Sequence, residues 1–247
     1  MSISRATTRN LLLRSLADED FDRIRPHLSR MTFERRKRLV EADKPYDHVW
    51  FPEDGISSVV MRLADGGQME VGLVGLEGMI PVAALLSADT SPHDIFVQIE
   101  GRDALVASAA VFRRLLREHV GLRESLQRFA MVFLVQTTTT AVSAGSHPME
   151  QRLARWLLMC HDRLEGDDLK LTHEFIALML AVRRSSVTVT LHVLEGMGAI
   201  SATRGTVLVR NRALLEELAG EAYGEAEDQF RRLVGPFPVL VSQTSVR

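Results

Sequence analysis

Leu171-Thr172-His173-Glu174-Phe175-Ile176-Ala177-Leu178-Met179-Leu180-Ala181-Val182-Arg183-Arg184-Ser185-Ser186-Val187-Thr188 reads as two short helices separated by a tight turn, the second opening on paired arginines and hydroxyls. Such side chains reach base edges and phosphates in a DNA major groove. Thr172 is a good N-cap, because its hydroxyl accepts an orphan backbone N–H one turn in, and Glu174 favours the positive helix end. Ile176, Met179 and Leu180 recur at helical spacing and bury one face. The second segment is ambiguous. Val187 to Val193 alternates apolar and polar like a strand, and its β-branched residues favour a strand. Yet Val187, Leu191 and Leu194 follow an i, i+4, i+7 pattern that leaves Arg184, Ser185, Thr188 and His192 off the buried face.

The sequel decides between them. Glu195-Gly196-Met197-Gly198 is a helix stop. Ile200-Ser201-Ala202 and Thr206-Val207-Leu208-Val209 then flank Thr203-Arg204-Gly205, a hairpin signal with Gly at the turn. Helix, turn, helix and short hairpin make a winged helix-turn-helix. The expected DNA contacts are Thr172, Arg183, Arg184, Ser185, Ser186, Thr188, Val189, His192 and Arg204.

Three motifs carry a family resemblance: Leu171-Thr172-x-Glu174-x-Ile176-Ala177, Arg183-Arg184-x-Ser186-Val187-Thr188, and Leu194-Glu195-x-x-Gly198-x-Ile200. With the lead-in from Glu150 to Leu158, the segment from Glu150 to Arg212 resembles the DNA-binding domain of the Crp/Fnr family of bacterial transcription regulators. The resemblance implies that Arg184, Ser185 and Val189 occupy base-reading positions, with Arg184 suited to a bidentate guanine contact. Ser185 replaces the Glu of cyclic-AMP-responsive members, and Val189 stands where Arg is common. The operator therefore cannot be copied from those members.

Composition fits a two-domain soluble regulator: 247 residues, 46% hydrophobic, 25% charged, net charge −2. Thr172 to Arg212 is locally basic, with Arg183, Arg184, Arg204, Arg210 and Arg212 against Glu174 and Glu195. The acidic stretch containing Glu216, Glu217, Glu221, Glu225, Glu227 and Asp228 should lie away from phosphate. The single Cys160 leaves no internal disulfide, which fits a reducing cytoplasm, and no signal peptide or membrane span is read.

Upstream, Leu11-Leu12-Leu13-x-x-Leu16 and Phe21-x-x-Ile24 have helical spacing. From Met31, short apolar runs are separated by turn signals, with Ile56–Leu63 and Gln68–Val74 bracketing Asp65-Gly66-Gly67 as a hairpin. The resemblance implies a cyclic-nucleotide-binding-like β-roll here. Binding members use a Gly-Glu-Leu-type turn and an Arg that neutralises the cyclic phosphate. This chain offers Val74-Gly75-Leu76-Glu77-Gly78-Met79 and then Ser91-Pro92-His93-Asp94, with no Arg near the phosphate position. Glu77, Gly78, Met79 and His93 are the candidate effector residues. Without a permanently charged phosphate partner, cyclic AMP is not expected. Glycines at 72, 75 and 78 read as a turn in the roll, lacking the βαβ context of a dinucleotide fingerprint. One Cys cannot ligate an iron–sulfur cluster, and the eight His show no pairing at ligand spacing. Either the effector is of an unfamiliar type, or there is none.

Leu122, Leu126, Phe129, Phe133, Gln136, Thr140 and Ser143 alternate steps of four and three and read as the seam of a parallel helix pair; the alternative is an ordinary amphipathic helix packed on its own β-roll, and a second apolar stripe at Ala130, Met131 and Leu134 allows both. A two-fold dimer would place two recognition helices one DNA turn apart, ~34 Å. Ala144-Gly145-Ser146-His147-Pro148 is the expected hinge. The basic run Glu34-Arg35-Arg36-Lys37-Arg38 reads as a solvated charged face.

The expected architecture is α+β: an N-terminal antiparallel, jelly-roll-like β-roll (1–120), a long central dimerisation helix and hinge (121–146), a C-terminal winged helix-turn-helix (147–220) and a tail (221–247). The expected function is a cytoplasmic, homodimeric transcription regulator of double-stranded promoter DNA, with RNA polymerase as a further partner. Its alternative is a sensor of a nucleotide other than cyclic AMP, or of another small molecule, with secondary DNA binding. No nucleophile–base pair, paired carboxylates or metal cluster points to an enzyme.

Overall fold

Apolar runs of three to eight residues, broken by turns, cannot bury both faces alone and so pair into sheets. In the computed structural model, which describes residues 3–64 and 66–237, they form seven strands: β1 (Ser29–Phe33), β2 (Arg38–Val40), β3 (His48–Pro52), β4 (Ile56–Arg62), β5 (Gln68–Val74), β6 (Asp94–Ile99) and β7 (Gly101–Ser108). They pair antiparallel as β1-β7-β3 and β2-β6-β4-β5. The two sheets enclose one core with Phe33, Phe51, Val59, Val97 and Leu105. The short helices α1 (Leu11–Arg14) and α2 (Asp18–Ile24) precede them, and α3 (Ala109–Glu118) follows. Asp65, in the expected hairpin turn, lies outside the described residues.

The central helix α4 (Val120–Ser146) runs unbroken through four threonines. Thr137 to Thr140 donate their hydroxyl protons to carbonyls three or four residues back, so the helix keeps its course. Gly145 does not break it; the chain leaves the helix at His147, and Pro148 is the N-cap of α5 (Met149–His161).

Much of the expected seam packs on its own chain, as an ordinary amphipathic helix would. Leu122, Leu126, Phe129, Gln136 and Ser143 are buried against this chain's own domains, and Phe133 and Thr140 are half-buried. The cause is close approach to β5 and the turn after it. A Cβ on Gly78 would fall 2.0 Å from the Phe129 ring, and one on Gly72 would fall 2.8 Å from Phe133 and Gln136. The Gln136 amide oxygen also accepts the edge-strand N–H of Leu73 at 2.8 Å. Gly72 and Gly78 are therefore the bed of α4. The row left facing out is Met131, Leu134 and Val142, at 46%, 53% and 56% exposure.

The rest of the chain comprises β8 (Asp168–Leu169), α6 (His173–Met179), α7 (Arg184–Gly196), β9 (Ile200–Thr203), β10 (Thr206–Val209), α8 (Arg212–Ala219) and α9 (Glu225–Leu233). Strand β8 joins the wing as a third strand, in the order β8-β10-β9. Residues 225–233, within the expected tail, form a packed helix. Phe230 of α9 is buried in the core of the β-domain, and Glu227 is buried as well. Residues 238–247 of the expected tail lie outside the described residues. Ile56, Leu73 and Ile99, on the outer side of the four-stranded sheet, pack with the helix-turn-helix core rather than with the roll. The two domains thus share an apolar layer.

Candidate nucleic-acid interface

The Thr172 hydroxyl accepts the Phe175 N–H at 3.2 Å, and its own backbone is extended, so α6 starts where the capping rule puts it. After Leu180 the chain reverses through Ala181, whose φ of +50° is unusual for a residue with a side chain. Arg183 is the N-cap of α7 and offers no side-chain cap, so the first N–H groups of α7 are left open. The chain bends by 107° between the two helices, the geometry of a helix-turn-helix. No single helix among the described residues is long and apolar enough to cross a membrane.

Helix α7 buries Val187, Thr190, Leu191 and Leu194. Thr190 tolerates the interior because its hydroxyl donates to the Ser186 carbonyl at 2.9 Å. Arg183, Arg184, Ser185, Ser186, Val189 and His192 are exposed or half-exposed, Val189 by 63%. Thr188 is only half free: its hydroxyl lies 3.0 Å from His173 Nδ1 and donates to the Arg184 carbonyl at 3.2 Å. Arg184 Nε meets Glu174 Oε1 at 2.6 Å, with both side chains 64% exposed. The backbone N–H of Glu174 itself, and then the Arg184 charge, hold that carboxyl below the usual range. An exposed pair of this kind exchanges readily for another partner.

The hairpin closes on Arg204-Gly205, with Thr206 opposite Thr203 and Gly205 at φ +83°. Arg204 at its tip shares an open groove with Thr172, His173, Glu174 and Arg184. Arg212 is excluded from this basic face. It is 16% exposed and committed to Asp162 and Glu216, both at 2.8 Å, with its Nη2 also donating to the Tyr223 hydroxyl. Sequence spacing gives no sign of that long-range network.

The four candidate effector residues are placed differently. Arg163 Nε donates to Glu77 Oε1 at 2.9 Å, with the two side chains 3% and 2% exposed, and Glu77 Oε2 accepts the Gly75 N–H. Gly78 lies under Phe129, and Met79 is fully buried in the core. His93 is half-buried, and burial pulls its imidazole below the ordinary value. Glu77 is therefore an interdomain ion-pair partner in this structure, with Glu227 on the far side of the same guanidinium at 4.0 Å.

Residues 151–218 match the family model of the Crp-like helix-turn-helix domain. Three solved structures share the fold over most of the chain. One is a CRP-family transcriptional regulator from Thermus thermophilus, with TM-score 0.66 and 22% identity, covering 78% of this chain and 98% of that one. Another is FixK2 from Bradyrhizobium japonicum, with TM-score 0.67 and 16% identity, covering 79% and 99%. The third is the c-di-GMP-responsive regulator CLP from Xanthomonas campestris, with TM-score 0.62 and 16% identity, covering 78% and 99%. At these identities the likeness is one of fold. No curated protein matches the chain.

Proposed function

We propose that the protein is a sequence-specific transcription regulator that binds a palindromic promoter site as a homodimer, with an effector pocket unlike that of the cyclic-AMP-responsive regulators. The observation that carries this reading is the exposed face of α7, where Arg183, Arg184, Ser185 and Val189 stand clear of the core beside the Arg204 wing. A helix with this exposure enters a major groove by its N-terminal turn, while the wing and the open N–H groups take phosphates. The outward row of α4 supports the dimer, because Met131, Leu134 and Val142 form an apolar stripe that pairing would cover.

The altered pocket follows from Glu77. Its carboxylate is neutralised by Arg163, and no Arg replaces the missing phosphate partner between Ser91 and Gln98. Selection of duplexes from a randomised pool by the full-length protein tests the whole reading. A palindromic consensus with half-sites about one helical turn apart is expected. Recovery of no enriched sequence would overturn it.

A further inference from the structure

Five side chains meet where the DNA-binding domain lies on the four-stranded sheet: Ser58 of β4, Glu70 of β5, Gln98 of β6, Trp156 of α5 and Met179 of α6. Each is 4% exposed or less. The Trp156 indole N–H donates to Glu70 Oε1, which ties the two domains together at 2.7 Å. Glu70 Oε2 and Gln98 Oε1 both lie against the Ser58 hydroxyl oxygen, Gln98 at 2.6 Å, and the Met179 sulfur is 3.5 Å away. A hydroxyl has a single proton to give. Both oxygen contacts are hydrogen bonds only when the Glu70 carboxyl carries a proton and donates it to Ser58, while Ser58 donates to Gln98. The neutral acid completes that chain, whereas the carboxylate leaves two oxygens facing each other with no proton between them. Ile56, Leu73 and Ile99 pack with the helix-turn-helix core around it, so the charge would also sit in an apolar layer.

The charged groups that face the carboxyl are Arg155 and Arg163 of α5, and both favour its ionisation. Each is committed elsewhere: Arg155 donates to the carbonyls of Gln136 and Ala222, and Arg163 is bonded to Glu77. Arg152 of α5 lines the cavity beside Glu70, to which α4 contributes only Thr140 and Ser143 as polar groups. Burial keeps the nearby Cys160 thiol neutral. From β4, β6 and α6 come only Ser58, Gln98 and Met179. Burial outweighs the two guanidinium groups and holds the carboxyl at about 7.

We propose that Glu70 is a proton-operated latch: as the neutral acid it holds the DNA-binding domain on the sheet, and as the carboxylate it releases it. The inference rests on the DNA-binding reading above and names a proton as a signal that the chain reads. The docked domain leaves Arg183, Arg184 and Val189 exposed, so docking hides none of the face assigned to DNA. A domain held in place loses less freedom on binding than a loose one, so the latched form binds more tightly. An undocked Glu70 returns to its ordinary 4.5. As pH rises from there to about 7, docking weakens by up to about tenfold per pH unit and then levels off.

The test uses the full-length protein and two measurements. In protein carrying isotope-labelled tryptophan, the Trp156 indole resonance, assigned by Trp50→Phe, reports the carboxyl it touches and should titrate with a midpoint near 7. The second measurement is affinity for a duplex selected from a randomised pool, compared between the wild type and Glu70→Gln. Gln keeps an acceptor for Trp156 and a donor for Ser58 at every pH. His173 and His192, beside the DNA face, titrate in both proteins, so the ratio of the two affinities is the readout. That ratio should be near one at the acid end of the window and favour the variant by roughly tenfold at the neutral end. An indole midpoint near the ordinary 4.5, or a ratio that stays at one throughout, refutes the latch while the function stands. If the wild type selects no duplex at either end, the DNA-binding reading falls and the latch with it.

Discussion

The indole Nε1–H of Trp156, on α5, donates to Oε1 of Glu70, on β5, at 2.7 Å, and both side chains are buried where the DNA-binding domain meets the four-stranded sheet. The other carboxyl oxygen of Glu70 is bonded to the Ser58 hydroxyl. Arg155, on the same helix as Trp156, donates to the carbonyls of Gln136 and Ala222, so the contact lies at a junction of α4, α5 and the approach to α9. A carboxyl in such a place is costly to ionise.

Burial pushes the Glu70 carboxyl up to about 7 from an ordinary 4.5, against the pull of the hydrogen bonds from Ser58 and Trp156. As pH rises from about 4.5 to about 7 the unfolded chain releases this proton before the folded one, so stability falls through that window. The loss amounts to roughly 3 kcal/mol when complete. Glu70→Gln should match the wild type in thermal midpoint at the acid end of the window and exceed it by several degrees above the window. Equal midpoints at both ends would show that Glu70 ionises freely.

Arg163 is the second interdomain tie, joining Glu77 after β5 to the end of α5 and to Glu227 of α9. Arg163→Met leaves Glu77 buried without a cation and should cost about 3–5 kcal/mol in urea unfolding. Adding Glu77→Gln should return part of that loss. An Arg163→Met protein as stable as the wild type would mean that Glu77 has water or another partner in solution.

Arg184→Ala should relax sequence choice at one base per half-site, where a bidentate contact discriminates by about 1–3 kcal/mol. The fold should be untouched, since the Arg184–Glu174 pair lies at the surface. Val189→Ala should act at a neighbouring base, because an exposed apolar side chain in the groove reads a thymine methyl. Repeating the duplex selection with each variant measures both effects, and an unchanged consensus for Arg184→Ala removes its assigned role.

The helix-turn-helix was legible because its signals are local: the Thr172 cap, the Ile176 and Leu191 faces and the Gly205 turn all act within a few residues. Even the strand-like Val187-Thr188-Val189-Thr190 is helix, its polar Thr190 turned inward by one hydroxyl bond to Ser186. What escaped the sequence is long-range. Glu77 and Arg163 are 86 residues apart, and nothing in the spacing of either pairs them. The carboxylates of α9 masked Ala226 and Phe230, one turn apart, which carry that helix into the core. On α4 two apolar stripes lie on one helix, and their spacing does not say which faces inward. The row richer in Leu and Phe went to the core because Gly72 and Gly78 let it approach.

That assignment makes the two rows separable by experiment. Leu134, 53% exposed, touches the core little, so Leu134→Glu should leave the monomer folded while placing a charge in the stripe that pairing would cover. Sedimentation equilibrium should show the wild type as a dimer and the variant as a monomer, with binding to a palindromic duplex much weakened and binding to a half-site preserved. Leu126, fully buried against its own β-domain, should behave differently. Leu126→Ala should cost about 2–5 kcal/mol of stability without itself dissociating the folded dimer. If Leu134→Glu stays dimeric with its fold intact, the α4 stripe is not the interface, and the partner surface must lie elsewhere on the chain.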